Sequence, residues 1–564
     1  MNIYAMLMPL VISSGMFPHT SSEVNKGVNF VTVGSTQNCD FSSIQDAINS
    51  GADDIRISDE GIPYLENMII SDKNLTLRGD FANCTNAANN IPTIGLRSTI
   101  DGDHFSAVIN IDGDEVLNHV AIQGLRLING SGSYGAGIVV NKAHVDLKLI
   151  DSVIESNNSS FGAGINVRGL DSLHLAKMII QDSKIKSNTA TQDGGGLFCQ
   201  NAELIIYGAS EFENNLAYNG GGIAADHTCQ VDIFSPTKII NNNATESGGG
   251  VSANTAMLNI NGVEQCYQID QCYGENKKKV EISDNHAIYG GAIYEDDSAV
   301  RMSNVNITRN SAVNGGAFAV INSLLDIGVE NQSSCWDNWA CTQISDNFAS
   351  TGGGLYWSYG SDSDIKIHNA HIYKNNAPKS SVGLQLQGGE VFFEGSLIYS
   401  NGDSGSIDLF SSLASNPNLI ITYSTIVNNQ FQEALFNMGG SGVVGVFTSI
   451  IKELGMIFKT GGAIDNFQCV LVNESESFSS GPSILVADPK FVNEGSNNFH
   501  LSSDSPAIDY CDTGVFENEY NDIDGQQRGI DVSKPNEYGA YDLGADEYTG
   551  NDDLIFEDDF EIFE

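Results

Sequence analysis

One phrase recurs along the middle of this chain and limits what it can fold into more than any other feature. An Asn comes first, a small residue usually follows, then two or three glycines or a Gly-Ala pair, then one apolar residue. Eight copies lie between residues 155 and 384: ESNNSSFGAGI, KSNTATQDGGGL, ENNLAYNGGGI, NNNATESGGGV, SDNHAIYGGAI, TRNSAVNGGAF, SDNFASTGGGL and a decayed YKNNAPKSSVGL. A weaker precursor, NGSGSYGAGI, ends at residue 138. A phrase repeated every 25–30 residues or so (about one supersecondary unit) marks a solenoid.

Between the phrases lie short runs such as VNIT, DIKIH and MLNIN, with apolar residues two apart, as in half-buried strands. No helical stripe interrupts them. An Asn-Gly turn plus two or three short strands fills one rung of a parallel β-helix. Glycine suits a turn with positive φ and close backbone approach, and Asn tolerates the left-handed region. Stacked Asn residues are then expected to form a ladder of amide bonds along the axis. The apolar residue after the glycines, such as Ile223, Ile293 or Leu355, should point inward. A β-propeller would need blades of about 40–50 residues and more Trp than the three present. The fold expected is all-β: a right-handed parallel β-helix solenoid with a short N-terminal helical cap.

The spacing is uneven. Gly194 to Gly220 is 26 residues and Gly220 to Gly248 is 28, but Gly248 to Gly290 is 42 and Gly315 to Gly352 is 37. Each long interval holds a close cysteine pair: Cys266 with Cys272 in the first, Cys335 with Cys341 in the second. This suggests an inserted hairpin closed by its own disulfide in each. The other near neighbours are Cys39 with Cys84, Cys199 with Cys229, and Cys469 with Cys511. These neighbourhoods suggest pairs without fixing them. No CxxC occurs, so zinc and thioredoxin-like chemistry are disfavoured, and ten cysteines in a Gly- and Asn-rich chain suggest an oxidising compartment.

At 564 residues the chain exceeds one ordinary globular domain, a limit that a solenoid escapes because each rung packs only on its neighbours. Roughly 13 rungs between residues 93 and 480 would make a rod about 60 Å long. The 71 acidic against 26 basic side chains argue against nucleic acid or anionic lipid as partner. Cations remain compatible, although a solvated surface explains the charge as well.

The ends differ from the middle. MNIYAMLMPLVISSGMF reads as a signal peptide over residues 1–24, though without a basic n-region or an A-x-A site. No later segment is apolar enough to span a membrane. Residues 25–92 read as the cap and first strands. Within them FSSIQDAIN is a short helix with a Ser42-x-x-Gln45 capping box and an apolar face of Phe41, Ile44, Ala47 and Ile48. Such a helix covers an otherwise open solenoid end. The coils expected over 93–480 carry the phrase from 129 to 384 and lose it over 385–480. Residues 481–548 are rich in turns and acids, and 549–564 form an acidic-aromatic tail.

Taken together, these features resemble bacterial secreted proteins of the parallel β-helix (pectin-lyase-like) class. The Asn…Gly-Gly-[Ala/Gly]-Ile phrases are similar to polymorphic outer-membrane-protein repeats, with the Asn half better kept than the Phe half. CDFSSIQDAINSG with YLEN resembles the N-terminal cap of such proteins. Ala487-Asp488-Pro489-Lys490-Phe491, Ser505-Pro506-Ala507-Ile508-Asp509, Asp522-x-Asp524-Gly525-x-x-Arg528 and Asp542-Leu543-Gly544-Ala545-Asp546-Glu547 resemble a choice-of-anchor C-terminal region. IFEDDFE is similar to the tails of gammaproteobacterial surface proteins, but lacks their usual Gly-Phe-Glu ending. The resemblance implies export and surface association, and no defined activity.

Catalytic signatures are thin. The NTD, GDD, GHG and RIK motifs of galacturonase-like enzymes are absent. A lyase would need acidic Ca²⁺ ligands beside a basic residue. Among Arg168, Lys177, Arg301 and Arg309, the best such grouping is Asp296 and Asp297 as ligands with Arg301 as base. Asp101-Gly-Asp103, Asp112-Gly-Asp114 and Asp522-x-Asp524 are acidic turns. Of these, Asp522 and Asp524 are the metal candidates, although Tyr520 stands where a full EF-hand loop needs an acid. The glycine triplets lack the Gly-Lys-[Ser/Thr] of a phosphate loop. No G-x-S-x-G elbow is present. His368 and His371 are expected on opposite sides of one strand. Trp336 and Trp339, in the CWDNWAC hairpin, are the best candidates for an exposed aromatic contact to a glycan or a partner protein.

The reading is therefore an exported, non-enzymatic β-helix rod at the bacterial surface, adhesin-like or structural. It needs no cofactor, with Ca²⁺ as the one ion considered. The runner-up is a Ca²⁺-dependent polysaccharide lyase or a glycoside hydrolase on the same scaffold.

Overall fold

The computed structural model describes residues 29–550, apart from 37, 114–115, 142–143, 263–278, 329–341, 361, 386–388, 404, 415, 417, 461–463, 474–482, 512–520 and 533–536. Both cysteine pairs of the long intervals lie outside the described residues: Cys266 and Cys272 in the first, Cys335 and Cys341 in the second. The two hairpin disulfides expected there, Cys266 to Cys272 and Cys335 to Cys341, are therefore not among the bonds described, which are Cys39–Cys84, Cys199–Cys229 and Cys469–Cys511. Trp336, Trp339 and Asp114 also lie outside the described residues, as do the expected signal peptide and tail. Parallel strand pairing runs from Phe30 to Val486 and builds three long sheets of 30, 14 and eight strands, called sheets 1, 2 and 3 here. Pairing thus begins ahead of the stretch where the sequence placed the coils.

One coil shows the plan. Thr189–Ala190 lies in sheet 3, Gly194–Gly196 turns the corner, and Leu197–Gln200 lies in sheet 2. Ala202–Tyr207 and Glu211–Glu213 then add two strands to sheet 1, bent at Gly208 with φ +66°. A coil therefore uses four short strands where the sequence suggested two or three. The extra strand arises because one left-handed residue bends the long run. Asp151 and Asp182 bend sheet 1 in the same way in other coils.

The Asn ladder is present. Asn157, Asn188, Asn215, Asn242, Asn285, Asn310, Asn347, Asn375, Asn401 and Asn429 stack in one line. Each after the first presents its Oδ1 to the backbone N–H and the Nδ2 of the ladder residue before it at 2.9–3.2 Å. Most ladder residues follow a left-handed one, such as Asn214 or Arg309. In the middle of the ladder Asn242 also donates Nδ2 to the Phe212 carbonyl, so its buried amide is satisfied on both sides. Glu453 takes over the next step: Asn429 donates to its carboxyl, and its own N–H donates to Asn473. Burial pushes the Glu453 carboxyl up to about 8.

The glycines stack beside this ladder because nothing larger fits. A Cβ on Gly222 would stand 2.6 Å from the Gly250 carbonyl oxygen, which belongs to the next coil's backbone and cannot move aside. Ile223, Ile293 and Leu355 are fully buried, as the phrase implied, in one apolar core running the length of the rod.

The N-terminal helix, α1 (Ile44–Asn49), buries Ile44, Ala47 and Ile48 against that core. Its cap differs from the sequence expectation. Ser43, not Ser42, is the N-cap and accepts from the Asp46 N–H. The Glu66 carboxylate accepts from the Ile44 and Gln45 N–H groups, and it supplies the negative charge that a helix N-terminus favours. Gln45 is used elsewhere: its Oε1 accepts from the Ile69 N–H at 2.8 Å. A second short helix, α2 (Cys84–Ala88), is tied back by the Cys39–Cys84 disulfide.

Residues 487–548 fold back as a strap across the outer face of sheet 1. Leu501, Ala507, Ile508 and Leu543 pack on Ile450 and Leu471, and Phe499, Ile523 and Ala545 pack on Leu397 and Val427. The Cys469–Cys511 disulfide fixes one end, while Asn369 donates to the Asn521 carbonyl at the other. Arg528 donates to the Gly544 and Ala545 carbonyls and lies 4.8 Å over the Tyr423 ring. The Cys199–Cys229 disulfide joins two successive middle coils inside the core.

Candidate functional site

The outer angle between sheets 3 and 2, termed the groove, follows the glycine corner. Near its N-terminal end a cleft of about 570 Å³ opens between Ser131–Gly135 and the sheet 2 strands at Met68, Asn110 and Val139. Phe105 and Tyr134 stand at its walls, 86% and 52% exposed. Asn67, Asn110 and Asn141 add amides between them. The three amide NH2 groups are already engaged within the protein: Asn67 Nδ2 donates to carbonyls at Gly102, Ser106 and Ala107, Asn110 Nδ2 donates to Asp112 at 2.7 Å, and Asn141 Nδ2 donates to Asp112 at 3.3 Å.

Aromatic rings continue along the groove. Tyr134 stacks on Phe161 at 5.4 Å between centroids, and Phe161 meets Phe198 edge-on at 5.6 Å. Farther along, Tyr289 packs on Trp357 at 5.4 Å, and Trp357 stacks on Tyr359 at 6.1 Å. Carboxylates lie between the two aromatic groups. Burial raises the Asp193 carboxyl, the Asn219 amide donating to it at 2.9 Å lowers it, and the charge of Asp226 raises it again. Asp226 itself meets His227 Nδ1 at 2.6 Å.

The structure separates the proposed lyase residues. Asp296 ends a sheet 2 strand, Asp297 is the left-handed corner with φ +47°, and Arg301 lies in sheet 1 with Asn259 and Asp326 as register neighbours. Burial, and then the charge of Asp297, raises the Asp296 carboxyl, while Tyr294 reaches it at 3.4 Å. Asp101 is occupied by turn chemistry, accepting from the Asp103 N–H.

The two metal candidates have different partners. Both Asp522 oxygens organise backbone: Oδ1 accepts from the Asp524 and Gln526 N–H groups, and Oδ2 from the Glu547 N–H. Asp524 instead meets His500 Nε2 at 2.6 Å. The ligand atoms of His500, Asp524 and Asp546 lie within 4.8 Å of one another, so these three could hold a divalent cation. One imidazole with two carboxylates suits a transition metal better than Ca²⁺, which prefers six or more oxygens (about 6–8). Burial lowers His500, but Asp546 and Asp524 overcome it and lift the ring to about 10.

His368 and His371, expected on one strand, are on two, with left-handed Asn369 between them. His368 pairs with Glu394, both buried, at 3.2 Å. His371 is pushed down to about 4, chiefly by burial and then by the Lys279 charge.

Sequence reasoning missed Phe105, Tyr134, Phe161, Phe198, Asp193 and His500. The aromatic signal was visible only as rings flanking successive glycine phrases: Tyr134, Phe161, Tyr289 and Phe198 each lie within two residues of one.

No family model matches this chain, and no curated protein matches it. Among solved structures, a tailspike protein mutant of E. coli bacteriophage HK620, in complex with a pentasaccharide, aligns with 79% of this chain and 74% of its own at 8% identity. The TM-score is 0.21, and a likeness that slight carries no argument for fold or function.

The coils themselves define the class: this is a parallel β-helix. Among the described residues no helix is long and apolar enough to cross a membrane.

Proposed function

We propose that this chain is an exported, non-enzymatic β-helix rod of the bacterial surface, adhesin-like or structural, that contacts glycan through the groove between sheets 3 and 2. The observation that carries the reading is the cleft with its exposed Phe105 and Tyr134 beside three Asn amides. Sugar rings offer apolar faces to aromatic rings and hydroxyls to amides, and large apolar side chains are costly to leave in water. Three disulfides support export, because such bonds persist in oxidising compartments. The acidic balance disfavours nucleic acid as partner. The pair Trp336 and Trp339, between Cys335 and Cys341, is a second proposed contact, for glycan or for a cell-surface protein.

A glycan microarray tests the reading. The wild-type chain should retain at least one oligosaccharide class, and a Phe105→Ala, Tyr134→Ala double variant should lose about tenfold or more in affinity, as expected for two stacking contacts. Full binding by the double variant would move the contact elsewhere, with a Trp336→Ala, Trp339→Ala variant as the next arm.

The runner-up, a polysaccharide hydrolase or Ca²⁺-dependent lyase, draws support from one observation. Asp193, its carboxyl raised by burial and by the Asp226 charge, has the character of a general acid with a second carboxylate nearby. Release of reducing or unsaturated ends, assayed with Ca²⁺ and with EDTA and abolished in Asp193→Asn, would establish it. Ca²⁺-dependent turnover insensitive to Asp193→Asn but lost in Arg301→Ala would point to Asp296, Asp297 and Arg301 instead.

A further inference from the structure

Among the described residues two arginines, Arg168 and Arg528, bury an Nε–H without a hydrogen-bond partner, but Arg528 donates its other N–H groups to the Gly544, Ala545 and Tyr423 carbonyls. Arg56, Arg78, Arg97, Arg126 and Arg309 each pair with a carboxylate. Arg168 pairs with none among the described residues, and its Nε–H is buried without a hydrogen-bond partner. Its guanidinium is held instead by three rings, with the carbon centre 4.3 Å from Tyr134, 5.3 Å from Phe198 and 5.8 Å from Phe161. Tyr134 is also a wall of the cleft, and Asn141, the neighbour of Arg168 in the adjacent strand, lines it.

A buried donor left unmade is costly, and a neutral ring face offers a guanidinium no acceptor. In a chain with 71 acidic side chains, a carboxylate from the protein could have filled that role. The three rings crowd the guanidinium and limit the directions its N–H fork can take. Such a fork matches a carboxylate with two parallel hydrogen bonds, which a Lys cannot do.

We propose that Arg168 selects the occupant of the groove: a glycan bearing carboxylates, such as a uronate or sialate chain, with one carboxylate seated on the Arg168 fork and a sugar face on Tyr134. The proposal rests on the groove reading above and names its ligand class.

The test pairs each of a panel of uronate and sialate oligosaccharides with its carboxyl-reduced form, and includes a sulfated chain. Binding is measured by calorimetry to the wild type, Arg168→Gln and Arg168→Lys, each checked for an unchanged thermal melt. The wild type should prefer a carboxylated chain over its reduced partner by about tenfold or more, the worth of one charge-assisted pair. Arg168→Gln should lose that preference while keeping the reduced chain's affinity, and Arg168→Lys should restore only part of it. Equal wild-type affinity for both forms, or a preference that survives in Arg168→Gln, overturns the proposal and leaves the groove reading intact. Preference for sulfate that persists after carboxyl reduction overturns the carboxylate assignment. Binding to no member of the panel or of the neutral array removes the groove reading, and this proposal with it. If Arg168→Gln melts early, Arg168→Lys decides: wild-type preference in that variant overturns the two-bond fork.

Discussion

The coils that carry the glycine phrase and the coils after residue 390 share one rung plan but differ on their outer face. In the middle, strands such as Val305–Thr308 alternate buried and half-buried residues, because one face meets water. Toward the C-terminus, Thr425–Val427 is buried throughout and Val443–Lys452 nearly so, because the strap covers sheet 1. The first kind of coil is held by backbone contacts repeated from rung to rung. The second adds a tertiary layer with its own apolar clusters, a disulfide and Arg528. A solenoid rung is therefore a minimum, and its sequence records what covers it: alternation where the face is wet, continuous apolar runs where both faces are dry.

The largest expected effect falls on the middle coils. Gly222→Ala drives a Cβ into the Gly250 carbonyl, so the variant should lose the cooperative melt of the rod or fail to express folded. Gly495→Ala, whose new Cβ would meet nothing closer than 3.7 Å, should melt within about 0.5 kcal/mol of wild type. Next comes the strap. Arg528→Ala removes the guanidinium donors to the Gly544, Ala545 and Tyr423 carbonyls, of which Ala545 keeps the Ile523 N–H, and should cost about 3–5 kcal/mol, confined to faster amide exchange in 487–548 and on the covered strands. Spread of that exchange into the Asn157–Asn347 coils would break the distinction between the two regions.

Asn242→Ala should act more gently. It leaves the buried Asn215 N–H without its partner, at about 1–3 kcal/mol, read in a denaturant melt. The smallest effect is a pH dependence limited to the strap. His500, near 10 when folded against an ordinary 6.5, stabilises fully below pH 6.5, and that stabilisation is lost as pH rises toward 10. The carboxyls of Glu547, raised to about 7, and Asp542, raised to about 9, both chiefly by burial, have the same sign: neutral burial is tolerated and ionisation is opposed. Strap exchange should therefore quicken beyond its intrinsic slope from about pH 4, where unfolded carboxyls ionise, through pH 7 and 9 for Glu547 and Asp542, and up to about pH 10 for His500, while exchange at the Asn242 and Asn285 rungs keeps its intrinsic pH slope.

The ladder and glycine column were legible because the same contact is printed into the sequence once per coil. Even so, the phrase did not show that the second residue of each Asn-containing pair is the ladder member and the first is the left-handed bend. The strap was not legible: Asn369 and Asn521 meet across 152 residues, with no repeat to announce it. LIITYSTIV held a clue, since an apolar run without alternation implies cover on both faces. The cleft was hidden for the same reason as the strap. Asn67, Phe105 and Tyr134 come from three coils, and each is unremarked in its own stretch. Asp296 and Arg301 look adjacent in sequence, yet a single left-handed residue sends them to different sheets.

The most direct test of the account is a crystal structure of the chain soaked with the tightest-binding oligosaccharide from the array. The account predicts continuous sugar density along the groove, with a ring face on Tyr134 or Phe105 and the chain running parallel to the glycine column. Intact sugar bound on sheet 1 or at the strap, with the groove empty at saturating ligand, would contradict it.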